Sequence, residues 1–235
     1  MADYVFAERF SERLKLLGEV SQRITSILEI DELLTQVARL IQQAFNYYHV
    51  GIGLIEGNEV AYRVGAGKLW DDPNFQFKPQ RLKIGLEGLT GWVAATGKPI
   101  IVSDITQDPR YIWMQGSQTQ SELIAPISVK GKIVGVLDVQ SQQVNDFEQI
   151  DLDLMQAIAS QTGVAIENAR LFAETQRLLK ESVQRAGELE IINRMQLGLA
   201  SKLDMKGIYS LVGEKLRGIF GVHGVVIYSF DHERG

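Results

Sequence analysis

Few residues of this chain have the side-chain chemistry of a catalytic or metal site. The sequence contains no cysteine and three histidines, His49, His223 and His232. Without cysteine there is no thiol nucleophile, thiolate metal ligand or disulfide. No histidine pair has metal-ligand spacing, no Ser-His-Asp arrangement follows a known order, and the acidic residues are scattered. We therefore expect a protein that is not an enzyme, and we interpret His49 as a satisfied or surface histidine rather than a metal or haem ligand.

Charge and hydropathy limit the partners of the chain. The formal net charge is −5 and there is no block of basic residues, which argues against binding the phosphates of nucleic acid. No apolar run reaches the length of a membrane span, and the N-terminus lacks a secretory apolar core. We expect a cytoplasmic, soluble protein, with a membrane-bound parent protein as the open alternative.

Two strand-like runs lie near the middle of the chain. Apolar residues alternate with others from Glu122 to Val129 and again from Ile133 to Val139, which predicts paired β-strands. Lys130-Gly131-Lys132 separates them, and its glycine can adopt the positive φ of a tight turn. The sequence therefore predicts a β-hairpin here.

A long helix is predicted to follow the hairpin. Asp146 is the expected N-cap, with Gln149 three residues later as in a capping box. No proline or strong stop interrupts the pattern between Phe147 and about Leu203. Apolar residues recur at intervals of seven, a moderate coiled-coil signal, at Ala165, Phe172, Leu179 and Ala186.

The residues before the hairpin predict a mixture of helices and strands. Gly51 and Gly53 share one predicted strand, which indicates close approach of another backbone or element. In chain order we expect a helix over about 5–28, a helix capped by Asp31, strands near 50–54 and 60–64, a loop over 65–79, a strand at 81–84, a helix at 89–96 ended by Gly97, and a strand at 100–102.

Several motifs occur together in an order that one known family shares. They are SELIAPI (121–127), KIVGVLDV (132–139), Phe147 and Asp151 followed by AIENARL (165–171), and upstream GWVAATGKP (91–99) and VSDI (102–105). The chain resembles the GAF domain family over about residues 20–172. The resemblance implies an α+β fold in which a central antiparallel β-sheet is flanked by helices, with a long C-terminal connecting helix.

The resemblance also implies which ligands to consider. GAF domains that attach bilin covalently, or reduce free methionine sulfoxide, use cysteines that this chain lacks, so we expect no cofactor. Members that bind cyclic nucleotides often carry an Asn-Lys-Phe-Asp-Glu signature. Asn145, Phe147 and Asp151 match it only in part, so an unknown small molecule is the favoured ligand.

The resemblance implies a ligand between the sheet and the irregular segment Ser103–Thr119, where aromatic rings accompany polar groups as in pocket walls. Each candidate has an ordinary alternative: a helix core residue for Trp92, loop packing for Tyr111 and Trp113, and a solvent-facing strand position for Glu122. The candidate wall residues are Trp92, Asp104, Tyr111, Trp113 and Glu122.

The end of the chain repeats its beginning at an offset of 175 residues, which aligns Leu28 with Leu203 and Phe45 with Phe220 without a gap. We therefore expect four parts: an N-terminal helix of a dimer bundle (1–28), a GAF domain (29–172), a long connecting helix (173–203) and the start of a second, incomplete GAF domain (204–235). The strand predicted from Val225 to Phe230 would be either paired with a partner or poorly ordered.

These observations predict a sensory or regulatory module of a bacterial-type signal-transduction protein. It would bind a small molecule and form a homodimer through its N-terminal and connecting helices. A downstream output domain such as a histidine kinase, a diguanylate cyclase or a transcription regulator would complete the protein. The alternative is a degenerate GAF domain, its pocket filled by Phe and Trp side chains, that serves only as a structural dimerisation connector.

Overall fold

The computed structural model of the protein describes Gly18 and residues 29–71, 81–114, 116–201 and 205–228. The chain divides into two compact units, Met1–Ala173 and Glu174–Gly235, which we describe separately. The predicted N-terminal helix over 1–28 lies outside the described residues except for Gly18. Among the helices of the described ranges, none combines the length and the apolar composition that a membrane span requires.

The first unit is built on a six-stranded antiparallel sheet with the strand order β3-β2-β1-β6-β5-β4. This arrangement confirms the predicted α+β class with a central antiparallel sheet. The strands are β1 (His49–Glu56), β2 (Glu59–Ala66), β3 (Arg81–Lys83), β4 (Ile100–Val102), β5 (Ser121–Val129) and β6 (Lys132–Ser141).

One face of the sheet is covered by helix α1 (Ile30–Phe45) and by the first part of helix α4 (Gln149–Ser201). The apolar residues of α1 recur at helical spacing, so one side of the helix is buried in this main core. Gly163 of α4 lies so close to β5 that a Cβ there would be 2.4 Å from the backbone oxygen of Ser128.

The other face carries helix α3 (Gly88–Thr96) and a second, smaller core. Leu89 and Val93 of α3 pack against Ile124 of β5 and Val136 of β6 there. Because both faces are covered, residues 121–125 of β5 are all buried, whichever face they lie on. The helix ends at Gly97, whose φ is 67° and whose N–H donates to Val93 O, as predicted.

The hairpin between β5 and β6 confirms the turn predicted from Lys130-Gly131-Lys132. Lys130 and Gly131 both have positive φ, at 49° and 78°, and Val129 pairs with Lys132. Two successive positive φ values characterise the two-residue turn whose twist matches that of paired strands.

Three local predictions are wrong. Asp146 is not the N-cap of α4: its carboxylate accepts from Ser141 Oγ, and Asp151 Oδ2 instead accepts from the N–H of Glu148, 2.9 Å away, just before the helix. Asp31 lies within the first turn of α1 and does not cap it. Residues 68–71 form a short helix, α2 (Lys68–Asp71), within the predicted loop.

The second unit contains the rest of α4 and helix α5 (Met205–Phe220). The bounds of α5 are those of α1 displaced by 175 residues, the offset of the sequence repeat. Residues 222–228 contain no strand, so the strand predicted from Val225 is absent over its described part. A strand requires a paired neighbour, and none lies beside this segment in the part of the chain that the structure describes.

Candidate functional site

The register of the sheet places polar side chains of three strands side by side. Gln140 of β6 pairs with His49 of β1 on one side and with Glu122 of β5 on the other. Asp138 lies two residues before Gln140 and therefore on the same face of the sheet. These four side chains are buried, each with at most 5% of its surface exposed, so the face towards α3 has a polar centre.

A β-bulge directs a fifth polar side chain into the same place. Ile52 pairs with Val64 but Gly53 pairs with Tyr62, which leaves Arg63 as the extra residue of β2. The bulge changes the face on which Tyr62 lies. Gly51 makes room for its ring, since a Cβ at position 51 would be 2.9 Å from Tyr62 Cε1.

These polar groups surround a cavity of about 40 Å³. A volume of this size holds a few water molecules or a small head group but is far below the roughly 300–1,000 Å³ of typical ligand pockets. Its lining combines strand residues, the start of α3 and the segment after Arg110, and comprises His49, Tyr62, Leu82, Gly88, Leu89, Thr90, Tyr111, Ile112, Met114, Glu122, Asp138 and Gln140.

Hydrogen bonds connect the polar groups into one network around Asp138. Asp138 Oδ2 accepts from Tyr62 OH and from Gln140 Nε2, each at 2.9 Å. Gln140 Oε1 in turn accepts from Thr119 Oγ1 at 2.7 Å, and Tyr62 OH lies 2.8 Å from Thr90 Oγ1. Each side chain of the network is therefore fixed by a neighbour on another strand, loop or helix.

Two buried atoms of this site lack a hydrogen-bond partner, Asp138 Oδ1 and His49 Nδ1. A buried polar atom without a partner costs about 1–3 kcal/mol, so such atoms call for a functional explanation. His49 is thus buried with one unpaired nitrogen, and its interpretation as a satisfied or surface histidine is wrong. Among the described residues, no group of three or more His, Asp or Glu side chains is arranged to hold a metal ion.

The two carboxyl groups have unusual acidities. Burial raises the pKa of Glu122 well above its usual range, and the neighbouring Asp138 charge raises it further. Burial raises the pKa of Asp138 to about 6, although the hydrogen bonds from Tyr62, Gln140 and Glu122 act in the opposite direction. Burial lowers the pKa of His49 to about 4, so this imidazole is neutral at pH 7.

The segment from Asp108 to Met114 forms one wall of the cavity. Arg110 holds it in place: the guanidinium makes two hydrogen bonds to the Asp108 carboxylate, at 2.9 and 2.6 Å, and lies 4.7 Å from the ring centre of Trp92. Burial and the charge of Glu122 raise the pKa of Tyr111 to about 12. The Tyr111 hydroxyl is therefore neutral beside the carboxyl groups.

The structure brings some of the predicted wall residues together and separates others. Glu122 and Tyr111 line the cavity, and Trp92 and Tyr111 share an adjacent surface depression. Trp113 is 60% exposed and contacts the Tyr111 ring edge-on at 6.1 Å. Asp104 lies outside the lining and caps the 3-10 helix Ile105–Gln107 by accepting from Thr106 N.

Sequence reasoning missed most of the polar centre. Asp138 and Gln140 had one visible signal, since they stand on either side of Val139 at the end of the apolar run that begins at Ile133. Tyr62 had none, because a regular β2 would place it on the opposite face and no residue type marks the bulge.

Comparison with known proteins identifies the class of fold. The sequence matches the GAF domain family over residues 29–166, and the chain belongs to this family of sensory and regulatory domains. Free methionine-R-sulfoxide reductase from Neisseria meningitidis, solved with its substrate, is similar in fold. It has a TM-score of 0.61 and 22% identity, and the match covers 68% of this chain and 90% of that one.

Two relatives illustrate the range of the family. GAF domain-containing protein A of Dictyostelium discoideum is 30% identical over 119 residues, covering 50% of this chain and 69% of the relative. The Nif-specific regulatory protein of Azospirillum brasilense is 24% identical over 186 residues, covering 75% of this chain but only 29% of the relative. The chain thus spans less than a third of that regulator.

Proposed function

We propose that this chain is a non-enzymatic sensory module that binds a small molecule in the polar cavity and forms a homodimer through its helices. The observation that carries this proposal is the pair of unpaired buried atoms, Asp138 Oδ1 and His49 Nδ1, beside that cavity. A buried polar atom is costly unless a partner reaches it, and a molecule bound in this cavity would supply that partner. The proposed ligand contacts are Glu122, Tyr111 and, at the mouth, Trp92.

Ligand binding would require a conformational change of the wall. The cavity of about 40 Å³ admits only a head group, so a larger molecule must displace the segment from Asp108 to Met114. The contacts of Arg110 with Asp108 and Trp92 would have to be broken or moved. A ligand that binds only the displaced arrangement shifts the population towards it, which is the step that a sensor needs.

Dimerisation is supported by the surface of the second part of α4. Between Arg170 and Leu197 no side chain is buried. Exposed apolar residues recur there at intervals of seven, as Phe172 and Leu179 do. A helix segment of this kind, roughly 40 Å long, has little stability alone in water. A second copy of the same helix would cover the apolar stripe.

One relative supports a wider role for the module. Because the named relative from Azospirillum brasilense is a regulatory protein of which the chain spans 29%, we propose that this chain is the regulatory portion of a longer protein with an output domain. Residues 1–28 would join the dimer bundle, residues 173–203 would connect the domains, and residues 204–235 would begin a second GAF domain. A cytoplasmic location stays a prediction.

Native mass spectrometry of the purified chain tests the proposal. We expect a dimer carrying a stoichiometric additional mass that is lost on denaturation. A dimer that stays free of adduct, and that binds nothing in a ligand screen, would contradict the sensor. A monomer at every concentration would contradict the dimer.

The lining of the cavity does not favour the connector alternative, although a volume of about 40 Å³ is as small as that alternative expects. That hypothesis requires a pocket filled by Phe and Trp side chains, whereas no Phe or Trp belongs to the described residues that line this cavity. Its walls are polar on the side of the sheet, and burying two carboxyl groups has a desolvation cost that an apolar core would avoid.

A further inference from the structure

The hydrogen-bonding capacity that remains at Asp138 is that of an acceptor. Gln140 uses its amide oxygen for Thr119 and its amide nitrogen for Asp138. Tyr62 donates its hydroxyl proton to Asp138 Oδ2. After these bonds Asp138 Oδ1 has no hydrogen-bond partner, although the Glu122 carboxyl group can hydrogen-bond Asp138 when it is protonated. A ligand that takes the place of that proton has to supply N–H or O–H groups.

The charge of the cavity lining restricts the class of ligand further. Glu122 and Asp138 are both in the lining, and the described lining residues include no lysine or arginine. A carboxylate or phosphate on the ligand would therefore meet two acidic groups and no compensating cation. A positively charged nitrogen would be attracted to both acidic groups. Its hydrogen bonds to carboxylates would also be about twice as strong as those of a neutral donor.

We propose that the cavity binds the cationic nitrogen head group of a small organic molecule, a primary ammonium or a guanidinium, which donates to Asp138 Oδ1 and to the Glu122 carboxyl group. This inference rests on the proposed sensory function and specifies the ligand class of the same site. His49 Nδ1, which has no hydrogen-bond partner, is a further acceptor in the tautomer that carries its proton on Nε2. The remainder of the molecule extends between Tyr111, Ile112 and Met114, which line the same cavity.

Binding of such a head group is coupled to proton release. Burial raises the pKa of Glu122 and of Asp138, so the empty site retains protons near neutral pH. A bound cation favours the ionised carboxylates and expels protons, and its affinity therefore rises with pH.

The other titratable groups that face the carboxyl groups do not change charge between pH 5 and 8. His49 of β1 has its pKa lowered to about 4 by burial, and Tyr111 of the wall segment has its pKa raised to about 12. Burial also raises the pKa of Tyr62 of β2 well above its usual range. Asp108, whose charge also acts on Glu122, has its pKa lowered by Arg110 and stays ionised. The pH dependence of binding therefore reports the two carboxyl groups.

A series of probes with one four-carbon chain and different head groups tests the ligand class. The probes are n-butylammonium, n-butylguanidinium, butyramide and butyrate, titrated into the full chain by calorimetry at pH 6 and pH 8 in buffers of different ionisation enthalpy. We expect the two cations to bind, butyramide to bind at least about ten-fold more weakly, and butyrate not to bind. The cations should bind more tightly at pH 8 and release protons.

Variants separate binding from folding. Asp138→Asn keeps an acceptor for Tyr62 and removes the buried charge. We expect it to weaken butylammonium binding at least about ten-fold without lowering the midpoint of urea unfolding. Asp153→Asn, an exposed position on α4, is the matched control and should bind like the wild type. Equal loss of binding in both variants, or no loss in Asp138→Asn, would overturn the assignment.

The outcomes distinguish this inference from the sensory function itself. If butyramide or butyrate binds as tightly as butylammonium and shifts the backbone NMR signals of Glu122 and Asp138, the cation preference is refuted and the sensor stands. The same holds if native mass spectrometry finds a neutral or anionic adduct. If no probe binds and the protein also carries no adduct, both the head-group assignment and the sensory function fail.

Discussion

Asp138 lies on β6, which pairs with β1 on one side and with β5 on the other. One oxygen of its carboxyl group has no hydrogen-bond partner. Burial raises the pKa of this group to about 6, above its value of about 4 in an unfolded chain. The folded state therefore binds the proton more tightly than the unfolded state. The stability that protonated Asp138 contributes is complete below about pH 4 and is lost as the pH rises through about 6.

The first prediction follows from this linkage. Asp138→Asn cannot ionise, so its free energy of unfolding relative to wild type should increase between pH 4 and pH 7, on the order of 2–3 kcal/mol in total. Urea unfolding of both proteins across this range measures the difference. His49 titrates in both proteins, so its contribution to the difference between their free energies of unfolding largely cancels. A constant difference over the whole range would show that Asp138 has an ordinary acidity.

Tyr62 carries the second prediction at the residue scale. Its hydroxyl donates to Asp138 Oδ2 and lies 2.8 Å from Thr90 Oγ1, so Tyr62→Phe leaves buried groups with one partner fewer. We expect the free energy of unfolding to fall by about 1–3 kcal/mol. The pKa of Asp138 should rise, because the hydrogen bond from Tyr62 lowers it.

Tyr228→Phe provides the control for this change, since Tyr228 is 79% exposed and its hydroxyl faces water. Its free energy of unfolding should match that of the wild type. NMR titration of the Asp138 carboxyl carbon checks the second half of the prediction. An unchanged Asp138 titration in Tyr62→Phe would contradict the network.

The polar site shows where sequence reasoning reaches its limit at the residue scale. Glu122 was identified as a candidate, but its ordinary alternative as a solvent-facing residue was equally consistent with strand alternation. Alternation assigns residues to two faces and does not say that α3 covers the second face. Tyr62 could not be assigned at all, since its face depends on the bulge at Arg63.

At the scale of elements, two glycines of α4 make a matched pair. Gly163 packs against β5, where an added Cβ would be 2.4 Å from Ser128 O, whereas Gly187 has nothing within 4 Å. Alanine is favoured over glycine in a helix by up to about 1 kcal/mol. Overpacking against a backbone that cannot move freely costs about 1–3 kcal/mol. At Gly163, alanine would therefore gain stability from its helix propensity and lose stability by overpacking against β5. At Gly187 only the gain from helix propensity operates.

The third prediction is that Gly163→Ala lowers the free energy of unfolding of the first unit while Gly187→Ala leaves it unchanged or raises helix stability. Thermal and urea unfolding, followed by circular dichroism and by tryptophan fluorescence, measure both. Trp70 and Trp92 report on the first unit. Stabilisation by Gly163→Ala would mean that α4 does not approach β5 as closely as the structure shows.

The elements themselves were largely predictable, and the failures are at their ends. The hairpin turn at Lys130 and Gly131 and the end of α3 at Gly97 follow from the tolerance of glycine for positive φ. The start of α4 could not be predicted from the sequence, because Asp146 and Asp151 are both suitable hydrogen-bond acceptors near that end. Tertiary contacts decide between them: Ser141 engages Asp146, which leaves Asp151 to accept from Glu148.

At the scale of the whole molecule, the sequence repeat correctly locates helix α5, whose bounds are those of α1 displaced by 175 residues. The apolar side of α1 is buried against the sheet, whereas α5, its equivalent at an offset of 175 residues, has no buried residue. The pattern of a helix can therefore be recognised from sequence, but what covers its apolar face cannot. The same reasoning applies to the exposed apolar residues of α4, whose pattern indicates a partner helix without revealing it.

The last prediction concerns that partner. If α4 forms a helical dimer, Leu179→Glu places a charge in its apolar seam at a side chain that is 57% exposed in the single chain. Burying that charge would cost several kcal/mol per ion, so the variant should be monomeric at concentrations where the wild type is dimeric. Sedimentation velocity measures the two states.

Gln184→Glu adds the same charge about 140° around the helix from position 179 and should stay dimeric. The first unit should keep its fold in both variants, because neither side chain belongs to its core. A Leu179→Glu protein that remains dimeric would place the interface elsewhere. A helix that is apolar on one side and exposed along its length is stable only when another surface covers it. For this chain, a monomeric wild type would therefore require that the covering surface come from a different protein.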